Sequence, residues 1–151
     1  AQWKLRNFNF VITKDIEKQL ALGYQGDSVV HDDRDRTFFD PAGGLYANAA
    51  SFSQFLVQLL NSKKRYEGLF EQRVELKTDD PIRQYFGIKG WTLGLAVIPS
   101  TVGTGYWHGG NNLGFTSSFM IDPIKEFGYV FFTNADQCND MKKVFEDMLW
   151  K

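Results

Sequence analysis

The sequence contains little of several residue classes, and each shortage excludes a class of protein. Its single cysteine, Cys138, excludes an internal disulfide framework and a cysteine-based zinc cluster. Basic and acidic residues nearly balance, at 17 and 18, so the net charge of −1 provides no field that would attract nucleic acid or an anionic membrane. We therefore expect no nucleic-acid partner.

Long apolar runs are also missing. No run approaches the roughly 18 residues of a membrane-spanning helix, so we expect no membrane span in this chain. The N-terminal letters AQWKLRNFNF lack the basic-then-apolar order of a signal peptide. The chain does have apolar surface, since 43% of its 151 residues are hydrophobic and 16% are aromatic. This is enough for one ordinary domain, and the length is too short for two.

Two segments have the apolar spacing of a long amphipathic helix. The first follows Asn48, a candidate N-cap, and ends near Asn61, with apolar residues at i, i+3, i+4, i+7 and i+8. The second begins after Asp140, a candidate cap, and repeats this spacing to Leu149. We expect the second helix to pack on a sheet through its apolar stripe.

The remaining N-terminal segments give weaker patterns. A short helix is predicted from Lys14 to Leu22, with Thr13 as N-cap and Gly23 as its end. Residues 24–47 carry turn formers and charges without a sustained period, which predicts a long ordered loop. Residues 62–90 are polar and mixed, with one helical turn predicted around Tyr66 to Phe70.

From Trp91 onward the periodicity is that of strands. Four runs are joined by turn signals at 99–100, 111–112 and 122–123: WTLGLAVI, GTGYWHGG, GFTSSFMI and FGYVFFTN. The segment 129–132 is apolar throughout, so we expect the last strand to lie centrally and to be the most buried. Together these elements predict an α+β fold, an antiparallel meander with packed helices.

Three short motifs have residues suited to chemistry, and each has a purely structural alternative. HDDRD, residues 31–35, is either a metal site or a solvated loop. YAN, residues 46–48, matches the Tyr-x-Asn element of some serine hydrolases in letters, but Asn48 also serves as a helix cap. His108 is either a satisfied strand residue or part of a site, because the glycines that follow it weaken a strand and often mark the close approach of a ligand.

Four blocks in this order resemble the C-terminal half of serine beta-lactamase-related proteins: GYQ, DPAGGLYANAASFSQFLVQLLN, GWTLGLAV and HGGNNLGFTSSFMIDPIKEFGYVFFTNAD. That family includes class C beta-lactamases, D-alanyl-D-alanine carboxypeptidases, D-aminopeptidases and related esterases. The resemblance covers nearly the whole chain from about residue 14. It implies that residues 1–151 form a single partial domain, the C-terminal part of a beta-lactamase/transpeptidase-like fold.

The resemblance also implies a reaction and a location. The intact protein would be a serine hydrolase that acts on amide, lactam or ester bonds through an acyl-enzyme, with a small molecule or peptide as substrate and no metal or other cofactor. Location stays open from the residues themselves, but the family suggests export to the periplasm or the cell surface.

Site residues follow from the same resemblance. His108, Gly109 and Gly110 match the Lys-Thr-Gly or His-x-Gly triplet on the strand that walls the catalytic cleft. His108 would then be a catalytic residue that faces the substrate, and the backbone N–H of Asn111 would form one half of the oxyanion hole. Gly109, Gly110 and Asn112 would contact the substrate. We expect His108 to face an open groove at a sheet edge, with Trp107 pointing the other way.

Two parts of the family pattern are missing. None of the serines is followed by lysine three places on, so the nucleophile motif Ser-x-x-Lys is absent. The general-base tyrosine motif is missing too, because the family places Tyr46 outside it. We expect this chain to be a fragment of a protein about twice as long or more, and to be inactive alone. The alternative is a noncatalytic peptide-binding module or a degenerate relative of the family.

A protein partner is expected at one sheet edge. In the family two N-terminal strands pair beside the final strand, so residues 128–135 would have an unpaired edge in this chain. We expect this edge to be covered by the missing N-terminal half, by a second copy of the chain, or by a rearranged segment 1–12.

Overall fold

A computed structural model of the chain describes residue 3, residues 5–100 and residues 103–149, and it contains four α-helices and three sheets. The helices are α1 (Lys14–Glu17), α2 (Ala49–Asn61), α3 (Pro81–Phe86) and α4 (Asn139–Leu149), with a 3₁₀ turn at Glu67–Leu69. The strands are β1 (Phe8–Asn9), β2 (Gly23–Gln25), β3 (Ser28–Val30), β4 (Tyr46–Ala47), β5 (Val74–Glu75), β6 (Gly90–Trp91), β7 (Ala96–Ser100), β8 (Gly103–Asn112), β9 (Phe115–Asp122) and β10 (Phe127–Thr133).

The main sheet is an antiparallel meander. Its six strands lie in the order β10-β9-β8-β7-β6-β5, so each strand pairs with its neighbour in sequence. The other two sheets are the hairpin of β2 with β3 and the pair of β1 with β4. The predicted α+β class and the antiparallel meander are therefore confirmed.

The position predicted for the last strand is wrong. β10 lies at the edge of the sheet, and β9 is the most buried strand. β10 reads as continuously apolar because helices cover both of its faces, with Phe132 against Phe52 of α2 and Phe131 against Phe145 of α4. An apolar run thus indicates covered faces and carries no information about neighbouring strands.

Helix α2 covers one face of the sheet, the face that carries Phe119 and Phe132, through the ring of Phe52. Asn48 caps the helix as predicted, because its Oδ1 accepts a hydrogen bond of 2.8 Å from the Ser51 backbone N–H. The Phe52 ring lies 5.1 Å from the ring of Phe119 and 5.4 Å from that of Phe132. These contacts join helix and sheet into one apolar core with Leu56, Leu59 and Ile121.

Helix α4 covers the opposite face with only part of its apolar stripe. Phe145 contacts Tyr129 of β10, with 5.5 Å between the ring centroids. Met141, Val144 and Met148 are 58%, 61% and 76% exposed, so the predicted packing of the whole stripe is wrong. The helix also begins two residues earlier than predicted, at Asn139, which places Asp140 in its first turn.

Several predictions for the N-terminal half need correction. α1 begins after Thr13, its predicted N-cap, but ends at Glu17, and Gly23 belongs to β2. The predicted loop 24–47 contains the β2–β3 hairpin and β4, and the pairing of Gln25 with Ser28 leaves a two-residue turn. Gly23 does not end α1, and its lack of a side chain instead allows close packing, since a Cβ there would lie 3.0 Å from the Cα of Gly114.

Strand boundaries also differ from the prediction. The run WTLGLAVI is divided between β6 and β7 by a turn, in which Thr92 N–H donates to the carbonyl of Leu95 at 2.8 Å. Residues 99–100 and 111–112 lie in strands, and the turn between β8 and β9 is at Leu113 and Gly114. Gly114 has φ +78°, which suits glycine and explains why the turn is displaced toward it. β5 and α3 were not predicted.

Within the described parts of the chain, no helix combines the length and the apolar character that crossing a membrane requires.

Phe52 should dominate the stability of this core. Phe52→Ala removes the ring that joins α2 to β9 and β10, so we expect a loss of about 3 kcal/mol in the free energy of unfolding. Val57→Ala, at an exposed position of the same helix, should change it by less than about 0.5 kcal/mol. Urea unfolding followed by circular dichroism measures both, and equal losses would contradict this account of the core.

Candidate active site

His108 lies exposed on β8, as predicted. It pairs in register with Phe119 of β9, and the two rings are stacked at 6.1 Å with an interplanar angle of 17°. Trp107 lies on the opposite face, where its indole Nε1–H donates to Ser118 Oγ at 2.8 Å. The imidazole therefore stacks on the ring of Phe119, and part of the imidazole stays open to solvent.

The part of β8 that begins at His108 has one unpaired edge. The register of β7 with β8 ends at the pair Ala96–Trp107, because the chain before Ala96 turns away from the sheet. On its other edge β8 pairs with β9 as far as Asn112. Among the described residues, the segment His108–Asn112 therefore has a strand on one side only. The expectation that β8 is a sheet edge is wrong for the strand as a whole, but this segment has the character of one.

The two glycines of the motif differ in what surrounds them. A Cβ on Gly109 would lie 2.6 Å and 2.7 Å from two ring carbons of Trp107, so the indole occupies that space. A Cβ on Gly110 would lie on the His108 face, 2.8 Å from the hydroxyl of Ser117. Packing against Trp107 therefore explains Gly109 without any ligand.

The two asparagines at the end of β8 contact other parts of the chain. Asn111 Oδ1 lies 2.9 Å from Thr116 Oγ1, and Asn112 Nδ2 donates to the carbonyl of Gly43 at 3.4 Å. The second bond attaches the 40–44 loop to the end of the candidate cleft strand. The oxyanion role predicted for Asn111 involves its backbone N–H, which this side-chain contact does not use.

The HDDRD segment forms an ion pair. Arg34 Nε and Nη2 donate to the carboxylate of Asp32 at 2.9 Å and 2.7 Å, and this hydrogen-bonded pairing lowers the pKa of Asp32 to about 2. Arg34 Nη1 and Asn112 Oδ1 each lie 3.5 Å from the point that a Cβ of Gly43 would occupy. Arg34 therefore lies near the end of β8, a position that no sequence pattern indicated.

The metal reading of this segment has no support in its geometry. Across the described residues, no three His, Cys, Asp or Glu side chains are grouped to hold a metal ion. Asp35 instead accepts a hydrogen bond from the Thr37 hydroxyl at 2.6 Å. In the YAN motif, Tyr46 belongs to β4 and Asn48 caps α2, so the structural alternative describes both residues.

Comparison with known families agrees with this architecture. The family model described as Beta-lactamase matches residues 1–145, so the chain belongs to the beta-lactamase family, whose reaction class is that of serine hydrolases. The match confirms the resemblance to serine beta-lactamase-related proteins and extends it toward the N-terminus. A search of curated proteins finds no match.

The Asp32–Arg34 pair predicts a pH dependence. The pKa of Asp32 is about 2 in the folded chain against an ordinary 3.8, so its contribution is complete above about pH 4 and is lost as the pH falls toward 2. Because Arg34 is half exposed, we expect Asp32→Asn to cost about 1 kcal/mol at pH 6 and almost nothing at pH 2. Urea unfolding at both pH values measures this. Asp33→Asn is the matched control, and a cost that persists unchanged at pH 2 would refute the assignment.

The glycines offer a second comparison. Gly109→Ala forces a methyl group against a half-buried indole, so we expect a loss of about 2 kcal/mol in unfolding free energy. Gly110→Ala meets only the rotatable hydroxyl of Ser117, so its cost should be below about 1 kcal/mol. Thermal unfolding of both variants checks this order. The order should disappear in a Trp107→Leu background if the indole is its cause.

Proposed function

We propose that this chain supplies one wall of the active site of a serine hydrolase that acts on amide, lactam or ester bonds. The observation that carries the proposal is an exposed imidazole, His108, at the start of a segment with an unpaired backbone edge. Membership of the beta-lactamase family supports the reaction class. We also propose, from the family alone, that the protein is exported.

The substrate would lie along the segment His108–Asn112 as an additional strand. Backbone groups on the free edge would pair with the peptide or lactam amide, as in other proteins that bind extended peptides. Gly109, Gly110 and Asn112 line this segment, and Gly110 keeps the face that carries His108 free of a further side chain. Orientation of the scissile bond would then come from strand pairing.

In the reaction, a serine hydroxyl attacks the carbonyl carbon and its proton passes to a neighbouring base. The carbonyl oxygen becomes an oxyanion, which the backbone N–H of Asn111 stabilises as one half of the oxyanion hole. Collapse of this intermediate breaks the bond to the amine or alcohol, which takes the proton back from the base, and leaves an acyl-enzyme that water hydrolyses; in a lactam the freed amine stays attached to the acyl group. His108 supplies a hydrogen bond and an electrostatic contact toward the substrate. The serine and its lysine would come from a segment outside this sequence, because no Ser-x-x-Lys occurs in it.

That absence favours one alternative, a noncatalytic peptide-binding module or degenerate relative of the family. Such a module would use the same free edge to hold a peptide. It would bind without turnover, and no serine would become acylated.

The edge of β10 also fits the proposal of a larger protein. Among the described residues, no strand pairs with the outer edge of β10. The bridge between Tyr24 of β2 and Ala135 lies beyond Thr133, where β10 ends. The proposed cover is the missing N-terminal half or a second copy. The third alternative, segment 1–12, is wrong for its described part, since Phe8 and Asn9 pair with β4.

Kinetics test the proposal. The chain alone should hydrolyse a chromogenic lactam or p-nitrophenyl ester no faster than buffer, whereas a longer form that includes Ser-x-x-Lys should turn over. In that form His108→Ala should lower kcat/KM by about 10- to 1,000-fold, because it removes a contact to developing charge. Thr104→Ala, on the same face of β8, is the control. An unchanged kcat/KM for His108→Ala would contradict the proposal, and peptide binding without turnover would establish the alternative.

A further inference from the structure

Behind the candidate cleft strand, polar side chains from β8, β9, β10 and α4 form a connected network. The Glu146 carboxylate accepts hydrogen bonds from the hydroxyls of Tyr129 and Ser118, the latter at 3.1 Å. Ser118 Oγ, whose residue is 1% exposed, accepts the indole N–H of Trp107 at 2.8 Å. Burial and the hydrogen bond from Tyr129 to the Glu146 carboxylate raise the pKa of Tyr129, so its hydroxyl stays a donor.

This network fixes the indole of Trp107 on several sides. Its N–H is held by Ser118, and the ammonium group of Lys142 lies 5.2 Å from the centre of its ring. The remaining ring edge occupies the space beside the Gly109 Cα, where a Cβ would lie 2.6 Å from a ring carbon. The indole therefore contacts the backbone directly beside His108.

The segment His108–Asn112 needs such support. It has a hydrogen-bonding strand on one edge only, and two of its residues are glycines, which have the most backbone freedom and no side chain to pack. An edge that must receive a substrate strand loses affinity if it has to be ordered on binding. A rigid ring pressed against its middle limits that freedom while the free edge stays open.

We propose that Trp107, held in place by Ser118 and Glu146, is a positioning residue that keeps the segment His108–Asn112 extended and ready to pair with a substrate. The proposal rests on the proposed function, in which this segment is the substrate-binding edge. α4 thereby acts on the site through its polar residues Lys142 and Glu146, from the face of the sheet opposite His108.

Amide hydrogen exchange of the chain, followed by NMR, tests the positioning directly. Trp107→Leu removes the ring, and exchange in the segment His108–Asn112 should become at least about 10-fold faster relative to β9, after correction for global stability. Trp107→Phe keeps a ring and loses the N–H, so a smaller selective increase is expected. Leu59→Ala, in the core of α2, is the control and should raise exchange without selecting this segment.

Uniform acceleration across all strands in Trp107→Leu and Trp107→Phe would overturn the proposal, and so would unchanged exchange. If Trp107→Leu does not fold, Trp107→Phe and Glu146→Gln provide the same selective readout. Glu146→Gln keeps the shape of the side chain and removes the charge that holds Ser118 and Tyr129.

A kinetic measurement separates this proposal from the proposed function. In a catalytically competent longer form, Trp107→Phe should raise KM several-fold with kcat little changed, because it disorders the edge that binds substrate. One combination of results would support the positioning role and refute the proposed function. In it, Trp107→Leu accelerates amide exchange selectively in the segment His108–Asn112, and His108→Ala has normal activity. Loss of activity in His108→Ala with unchanged exchange in Trp107→Leu would refute the positioning role alone.

Discussion

The pairing of β8 with β9 is the interaction on which the rest of the structure depends. Its register extends from Tyr106–Ile121 to Asn112–Phe115, and both helical layers contact β9 as well as β10. Phe119 contacts α2 on one face, while Ser118 contacts α4 on the other. At the level of His108 the only strand pairing among the described residues is with β9, since the pairing of β7 with β8 ends at Trp107.

The pairing of β7 with β8 ends at Trp107, and this divides β8 into two parts with different surroundings. As far as Trp107 it is an interior strand, and beyond that it has one open edge. An open edge normally invites pairing with other chains. Here the residues are His, Gly, Gly, Asn and Asn, without a β-branched or aliphatic side chain, so the apolar contribution to such pairing is missing. The same composition leaves backbone groups accessible to a ligand.

Sequence reasoning succeeded where the determinants are local. The apolar spacing and the Asn48 cap determine α2, and alternation determines which face of β8 carries His108. It failed where partners are distant in sequence. The edge position of β10 depends on which strands are present beside it, and the approach of Arg34 to the end of β8 depends on a loop path that no periodicity encodes.

The interpretation of Gly109 lies between these cases. Residues 107 and 109 share a face of the strand by alternation, so an indole over a glycine was within reach of local reasoning. The resemblance to the family concerns the substrate side of the strand, whereas the packing reason for Gly109 lies on the opposite face. A motif glycine therefore has to be examined on both faces of its strand before its role is assigned.

The contact between Trp107 and Gly109 has an evolutionary consequence. Because the indole fills the volume that any larger residue at 109 would need, the two positions cannot drift separately. A lineage that reduced the side chain at 107 would open room at 109, and one that enlarged 109 would first have to give up the indole. Gly110, the third residue of the His-Gly-Gly run, does not contact the indole, because a Cβ there would meet only the Ser117 hydroxyl, which can rotate away. Substitutions at Gly109 therefore depend on the residue at position 107, whereas substitutions at Gly110 do not.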